Sequence, residues 1–219
     1  MKPRCLIEGN ASPDNVDSLL RFLYDQGIPS PEIHVIDLID LAALGRADPR
    51  AFYHRANAAD LSEVFTNGSI DLLFQDHLLN CAPISHYDAI LGEVGRVLSS
   101  TGLALVHYTD PSRFPRACGN SLKEWFSVEG TDYRLNMPDF MHQRYLSFPM
   151  AERLIETTEG IIMVTLPFGN LEHFTPFEHF EARVANANLK LESRHTMNII
   201  DGEGLDCRRN YCLITPCPR

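Results

Sequence analysis

The sequence predicts an α/β fold built on a doubly wound, mostly parallel sheet with an antiparallel last strand. Residues 4–110 alternate short, nearly continuous apolar runs with amphipathic segments, which is typical of parallel strands covered by helices on both faces. After residue 174, a helix precedes two alternating segments joined by a short link, and such a link favours an antiparallel pair. The length of 219 residues fits a single domain over residues 1–219.

The first unit is a strand, a tight turn and a helix. "RCLIE" reads as a short buried strand. Ser12 is placed to cap a helix whose first position is Pro13, where the missing N–H costs little. Gly27 ends this helix. Its apolar side chains recur on one helical face: Val16, Leu19, Leu20 and Leu23.

The remaining elements of this half place polar residues at strand ends. The predicted strands are "EIHVIDL", "FYHRANA", "GSIDLLFQD" and "LALVHYT", and the predicted helices are "LIDLAALGRA" and "ISHYDAILGEVGRVLSS". Parallel sheets bind ligands at the carboxyl ends of their strands, near the point where the strand order reverses. The residues predicted to lie there are Glu8 to Ser12, Asp37, Asn57 to Asp60, Gln75 to His77, and His107 to Asp110.

Residues 111–174 interrupt the alternation and are rich in aromatic residues, proline and glycine. Within them, "FPMAERLIETTEG" favours a helix and "IIMVTLPF" a strand. A segment this long inside a compact domain is usually functional, so we expect an inserted lid or substrate-binding segment. Its aromatic residues either line an apolar substrate pocket or pack the insertion down: Trp125, Phe126, Tyr133, Phe140, Tyr145 and Phe148.

Composition narrows the function classes. The net charge of -10 argues against a general surface for nucleic acids or anionic membranes. The chain contains neither an apolar run long enough to span a membrane nor the apolar run of a signal peptide. Its six cysteines lack C-x-x-C spacing, which favours reduced thiols. We therefore expect a cytoplasmic protein with no nucleic-acid or membrane partner.

A metal centre is not expected either. The best ligand candidates are His142, Glu172, His173 and His179. They do not form H-E-x-x-H or a comparable motif. His173 and His179 flank a predicted helix start and are not expected to share one face.

Four stretches, taken in order, resemble class I S-adenosylmethionine-dependent methyltransferases. They are the strand-turn-helix "CLIEGNASPDNVDSLLRFL", the strand "EIHVIDL" with its terminal acid, the long run from "NAADLSEVFTNGSIDLLFQD" through "GEVGRVLSSTGLALVHYTD", and "HFTPFEHFEARVANANLKLESRH". The resemblance covers about residues 4–110 and 173–215. It implies a seven-stranded Rossmann-like methyltransferase sheet, with S-adenosylmethionine as cofactor.

The same resemblance implies roles for residues at the strand ends. Asp37 matches the acid that accepts the ribose hydroxyls, since a carboxylate offers two acceptor oxygens to a diol. His77 and His107 are candidate general bases, because the ordinary pKa of histidine is near neutrality. The full set of implied cofactor-binding residues is Glu8, Gly9, Asn10, Asp37, Asn57, Asp60 and Gln75.

The loop after the first strand departs from the family pattern E-x-G-x-G-x-G. With Gly9 as the first glycine, Ala11 and Pro13 stand at the second and third. A Cβ at Ala11 intrudes where the backbone approaches the cofactor, and Pro13 lacks an N–H donor. This leaves two hypotheses. The protein methylates a small molecule on oxygen or nitrogen, or it has lost methyl transfer and acts as a binding or regulatory subunit or catalyses another reaction in the same pocket.

Two further expectations concern partners. The acidic charge and the aromatic insertion favour a small-molecule substrate, although the insertion could instead form a homodimer surface. A nicotinamide-dependent oxidoreductase is disfavoured, because the chain has neither G-x-G-x-x-G nor a Tyr-x-x-x-Lys pair.

Overall fold

In the part of the chain that the computed structural model describes, strands outnumber helices. This part comprises residues 2–9, 13–76, 78–82, 84–110, 125–128, 131–134, 151–156, 161–166, 170–200 and 206–218. The α-helices of this part are α1 (Pro13–Asp25), α2 (Leu78–Cys81), α3 (Tyr87–Val97) and α4 (Phe177–Asn186), and a 3-10 helix over Ile84–His86 precedes α3. No helix among these residues is both long enough and apolar enough to cross a membrane.

Twelve strands are described. The first five are β1 (Arg4–Glu8), β2 (Glu32–Asp37), β3 (Phe52–Arg55), β4 (Ile70–Gln75) and β5 (Leu98–Asp110). The next five are β6 (Trp125–Val128), β7 (Thr131–Arg134), β8 (Ala151–Glu156), β9 (Ile161–Leu166) and β10 (Asn170–Phe174). The last two are β11 (Leu189–Ile200) and β12 (Asp206–Pro216).

The main sheet has seven strands in the order β11-β12-β5-β4-β1-β2-β3. β1 pairs in parallel with β2 and β4, and the pairs β2·β3 and β4·β5 are also parallel. Only β12 runs against its neighbours, β5 and β11. This confirms the predicted doubly wound, mostly parallel sheet with an antiparallel last strand. The strand order reverses between β1 and β4, which is where such sheets bind ligands.

Helices cover the two faces of the sheet unequally. One face packs against α3 and α4 through a continuous cluster that includes Ile90, Val94, Phe180 and Val184. On the other face, α1 packs on β1 and β2 through a smaller cluster that includes Val16 and Leu23. The two clusters together form the core that fixes the positions of the strand ends.

The end of α1 shows the predicted glycine stop in atomic detail. Gly27 has φ of +78°. Its N–H donates to the carbonyl of Tyr24 at 2.9 Å, and the N–H of Ile28 donates to the carbonyl of Leu23 at 2.8 Å. This bonding is the Schellman motif, which satisfies the last carbonyls of a helix.

Three local predictions are wrong. "LIDLAALGRA" forms turns over residues 41–45 instead of a helix. Ala151–Glu156 is strand β8, because it pairs with β9 along its whole length and this pairing overrides its helical pattern. The sequence also predicts a capping box with Thr175 as N-cap, Pro176 at the first helical position and Glu178 as the reciprocal partner. The helix instead begins at Phe177, with Pro176 as N-cap and no side-chain capping bond, so Thr175 is not the cap.

The predicted insertion, residues 111–174, contains two small sheets. β8, β9 and β10 form a three-stranded antiparallel sheet, and β6 pairs with β7. The strand in "IIMVTLPF" is confirmed as β9. Strand β10 contacts α2 and β5, so this sheet adjoins the carboxyl edge of the main sheet. The lid and single-domain assignments stay predictions.

Candidate functional site

The candidate site lies at the carboxyl edge of the main sheet, where the strand order reverses. Glu8 and Gln75 are register partners at the ends of β1 and β4. Asp37 is the last residue of β2, the strand that pairs with β1. Gln75 pairs with Val106 of β5, and His107 is the next residue of that strand. The topology therefore brings together strand-end residues that are far apart in sequence.

Gly9 occupies the tightest position of the site. Its φ is +71°. A Cβ there would stand 2.5 Å from the carbonyl oxygen of Asp76 and 2.9 Å from Cβ of Leu78. The chain leaving β1 thus passes directly against the chain leaving β4. This contact requires glycine whether or not a cofactor binds, so Gly9 by itself does not identify a cofactor loop.

Several predicted residues lie outside the described part of the chain. They are Asn10, Ala11, Ser12 and His77. The cofactor-binding role of Asn10 and the base role of His77 stay predictions.

Glu8 and Gln75 contact each other in the interior. The side-chain amide of Gln75 donates to Oε2 of Glu8 at 2.8 Å, and both residues are almost fully buried. Burial raises the pKa of Glu8 to about 8; the hydrogen bond from Gln75 opposes this and Glu93 adds to it. Glu8 is therefore mostly uncharged at neutral pH. In this arrangement the pair joins the ends of β1 and β4, and direct contact with a cofactor stays a prediction.

Asp37 is oriented by its own backbone loop. Its Oδ1 accepts the N–H of Ile39 at 3.0 Å, and its carbonyl accepts the N–H of Ala56 at 3.0 Å. The side chain is half-buried. Among the described residues, none donates to its second carboxylate oxygen. The carboxylate is thus fixed in place with acceptor capacity remaining.

Asn57 and Asp60 brace the loop that follows β3. Oδ1 of Asn57 accepts the N–H of Ala59 at 3.0 Å. Oδ1 of Asp60 accepts the hydroxyl of Ser62 at 2.7 Å and its N–H at 3.2 Å. These bonds lower the pKa of Asp60. Both residues are exposed, so they are accessible to a ligand, and their contact with the cofactor stays a prediction.

His107 forms a pair with Asp76 that sequence reasoning missed. Nδ1 of His107 lies 3.1 Å from Oδ1 of Asp76. The imidazole stacks on the ring of Tyr211, with centroids 5.0 Å apart and planes 20° apart. A carboxylate bonded to one ring nitrogen fixes the orientation of a histidine ring. The signal was present in the sequence, since both residues lie at the ends of predicted neighbouring strands.

A cavity of about 270 Å³ opens beside this pair, between α1 and the sheet. Asp76 and His107 lie at its polar end. Most of its wall is apolar: Ile7, Leu19, Phe22, Phe74, Leu105 and Tyr211. No sequence pattern indicates this cavity. Among the described residues, no cluster of three or more histidine, cysteine or acidic side chains is arranged to hold a metal ion.

Comparison of the sequence with protein-family models finds no match, and comparison with curated proteins finds none either. Comparison of the fold with solved structures finds many.

A SAM-dependent methyltransferase from Methanosarcina mazei matches with a TM-score of 0.66 and 13% identity, over 100% of this chain and 94% of its own. The 1,6-didemethyltoxoflavin-N1-methyltransferase of Burkholderia thailandensis, with its substrate and S-adenosylhomocysteine bound, matches with a TM-score of 0.59 and 10% identity, over 99% of this chain and 72% of its own. The glycopeptide N-methyltransferase MtfA, in complex with S-adenosylmethionine, matches with a TM-score of 0.55 and 12% identity, over 100% and 88%.

At such low identity, these likenesses establish architecture and not activity. The seven-stranded sheet with its single antiparallel strand agrees with them. The chain therefore has the fold of the class I S-adenosylmethionine-dependent methyltransferases.

Proposed function

We propose that this protein transfers a methyl group from S-adenosylmethionine to an oxygen or nitrogen atom of a small-molecule acceptor. The observation that carries the proposal is the position of Asp37. Within a fold shared with methyltransferases that hold this cofactor or its product, its carboxylate ends β2 beside the switch point and retains acceptor capacity.

The described residues fit such a cofactor in three places. Asp37 supplies a carboxylate for the ribose diol, whose two hydroxyls need two acceptor positions. Asn57 and Asp60 present exposed polar side chains on the loop after β3, which suit the polar edge of the adenine ring. The amino end of α1 lies just beyond the loop after Gly9, and backbone N–H groups there suit the cofactor's carboxylate.

Methyl transfer requires the protein mainly to position the acceptor and the cofactor. The bound cofactor supplies an already activated methyl group, so the main task is to hold the acceptor atom in line with it. Where the acceptor carries a proton, the imidazole of His107 is placed to take it. Asp76 then stabilises the resulting imidazolium across 3.1 Å. His107 is almost fully buried and lines the cavity, so the cavity gives an acceptor a route to it.

A second candidate is a protein of this fold that no longer transfers methyl groups. Two observations favour it. Ala11 and Pro13 replace expected glycines, and Gly9 is explained by its contact with Asp76 alone.

Calorimetric titration with S-adenosylmethionine and S-adenosylhomocysteine separates the two candidates. Asp37→Asn keeps the acceptor oxygen for Ile39 but removes the charge and the second acceptor oxygen. We expect micromolar binding to weaken by roughly 10- to 100-fold, because hydrogen bonds to a charged group contribute about 1.5–3 kcal/mol.

The matched control is Asp40→Asn. Oδ1 of Asp40 accepts the N–H of Ala43 at 3.0 Å in the same loop, so the control makes the same chemical change beside the site. It should alter affinity by less than about twofold, as expected for an exposed charge. If the folded protein binds neither compound at millimolar concentration, the methyltransferase proposal fails and the second candidate stands.

A further inference from the structure

We propose that the cavity between α1 and the sheet binds the methyl acceptor, and that this acceptor is a small planar aromatic compound bearing an acidic O–H or N–H. The acceptor role rests on the proposed function. The ligand class follows from the lining of the cavity, its size and the polar pair at one end.

The size of the cavity limits the ligand. Its volume of about 270 Å³ lies just below the roughly 300–1,000 Å³ typical of pockets for drug-sized molecules. One or two fused rings fit such a space. Phe74 and Leu105 form its floor on β4 and β5, and Leu19 and Phe22 form a wall on α1.

The cavity lies on a sheet face that the described helices cover incompletely. The register pairs Phe74 with Leu105 and Leu105 with Leu213, and all three are only half-buried. On the opposite face, Leu73 and Ala104 are at most 1% exposed. Among the described residues, this half-open apolar row is therefore the part of the sheet that an apolar ligand would cover, and covering it is favourable.

The polar residues at one end of the cavity favour a ring that carries an acidic O–H or N–H. His107 and Asp76 line the cavity at the carboxyl edge, and the imidazole is stacked on Tyr211. This stack offers a flat aromatic surface, against which planar rings pack better than bulky aliphatic groups. Asn15 and Ser18 of α1 also line the cavity and supply further polar groups for ring substituents.

The reaction step balances with the groups named. The acceptor's O–H or N–H bond breaks, and its proton passes to the imidazole of His107. The electron pair left on that oxygen or nitrogen forms the new bond to the methyl carbon. The sulfur–methyl bond breaks with its electron pair remaining on sulfur, so the sulfonium becomes a neutral thioether.

The test uses 4-nitrophenol, whose absorbance distinguishes phenol from phenolate, with cyclohexanol as a non-planar competitor. The purified protein without cofactor should bind 4-nitrophenol with an increased phenolate fraction, and cyclohexanol should not displace it. Ser18→Trp, at an exposed position lining the cavity, should weaken binding by at least about tenfold. Tyr24→Trp, on the same helix at a 69% exposed position outside the cavity lining, should leave affinity within about twofold of the parent.

Two more variants test the apolar wall of the cavity and the role of His107 separately. Phe22 is 54% exposed, so the Phe22→Ala protein should remain folded. Because the substitution removes one apolar contact with the ligand, the affinity for 4-nitrophenol should fall at least about threefold. The His107→Gln protein should still bind 4-nitrophenol, but the phenolate fraction should no longer increase on binding. A merely structural role of His107 would not produce this selective loss.

The outcomes separate this proposal from the proposed function. If S-adenosylmethionine binds but Ser18→Trp and Phe22→Ala leave 4-nitrophenol binding unchanged, the cavity proposal is wrong and the methyltransferase proposal stands. If 4-nitrophenol binds in the cavity but the cofactor does not bind at all, the acceptor role falls together with the proposed function.

Discussion

The side-chain amide of Gln75 donates a 2.8 Å hydrogen bond to the carboxyl group of Glu8, at the point where β1 and β4 end side by side. Neither side chain has appreciable contact with solvent. The bond therefore ties together the two strands between which the strand order reverses. Because water is excluded, the charge state of Glu8 matters for the stability of the whole edge.

Glu8→Gln should flatten the dependence of stability on pH. The pKa of Glu8 is raised from 4.5 to about 8 by burial, so the native state binds more protons than the unfolded state between these values. Its contribution is complete below pH 4.5 and is lost as the pH rises to about 8. Urea unfolding across this range should show a smaller decline in the variant than in the parent. The exposed Glu63, changed to Gln, is the control, and parallel curves for parent and Glu8→Gln would contradict the assignment.

Gly9→Ala should lower the free energy of unfolding by roughly 3 kcal/mol or more. The substitution combines a left-handed backbone with a Cβ placed 2.5 Å from the carbonyl oxygen of Asp76. Gly45 has a similar φ of +67° but no atom near its Cβ position, so Gly45→Ala isolates the backbone cost of about 1 kcal/mol. Thermal or urea unfolding of both variants measures the difference. Equal losses would show that the close contact at Gly9 relaxes at no cost.

The two glycines of α3 should respond in opposite directions to alanine. Gly92 has open space around its Cβ position, whereas at Gly95 a Cβ would stand 2.9 Å from the carbonyl oxygen of Ala187. Gly92→Ala should raise the free energy of unfolding by about 0.5–1 kcal/mol, since alanine loses less entropy in a helix. Gly95→Ala should lower it by about 1 kcal/mol or more, because the end of α4 must move away. Chemical unfolding of both variants decides this, and stabilisation by Gly95→Ala would refute it.

Four cysteines should divide into two reactivity classes. Cys5 and Cys212 are buried, and burial raises the pKa of each thiol to about 12. Cys81 and Cys217 are exposed. Because the thiolate is the reactive form, brief alkylation with iodoacetamide should modify Cys81 and Cys217 in the native protein and the other two only after unfolding. Peptide mass mapping reads out each site, and rapid native labelling of Cys5 would contradict its burial.

The parts of the fold that sequence predicted well carry local signals that tertiary structure does not override. Gly27 ends α1 because its positive φ satisfies the last helical carbonyls. Asp37 is predicted at a strand end because a short apolar run precedes it, although the helix predicted to follow is a turn. The reversal of strand order followed from alternation of elements, since parallel pairing leaves few topologies.

The parts that sequence missed depend on distant partners. Ala151–Glu156 is a strand because β9 pairs with it, which no local pattern reveals. Glu8 reads as a ligand by its position, but the bond from Gln75 and complete burial depend on how β1 meets β4. Pairing of Asp76 with His107 could have been predicted from the strand order, whereas the cavity under α1 depends on how the helix sits on the sheet.

The position of β12 between β5 and β11 has a consequence for how the chain reaches its native state. Arg208 pairs with Asp110, so one side of this strand must find a partner synthesised long before it. Its other side meets β11 through a local hairpin, which forms early because little chain must be ordered. We expect this hairpin to complete the sheet by docking on β5 as a unit. Closing the intervening segment costs entropy only logarithmically, about 0.6 kcal/mol for each doubling of its length, so evolution could lengthen residues 111–174 with little penalty to folding.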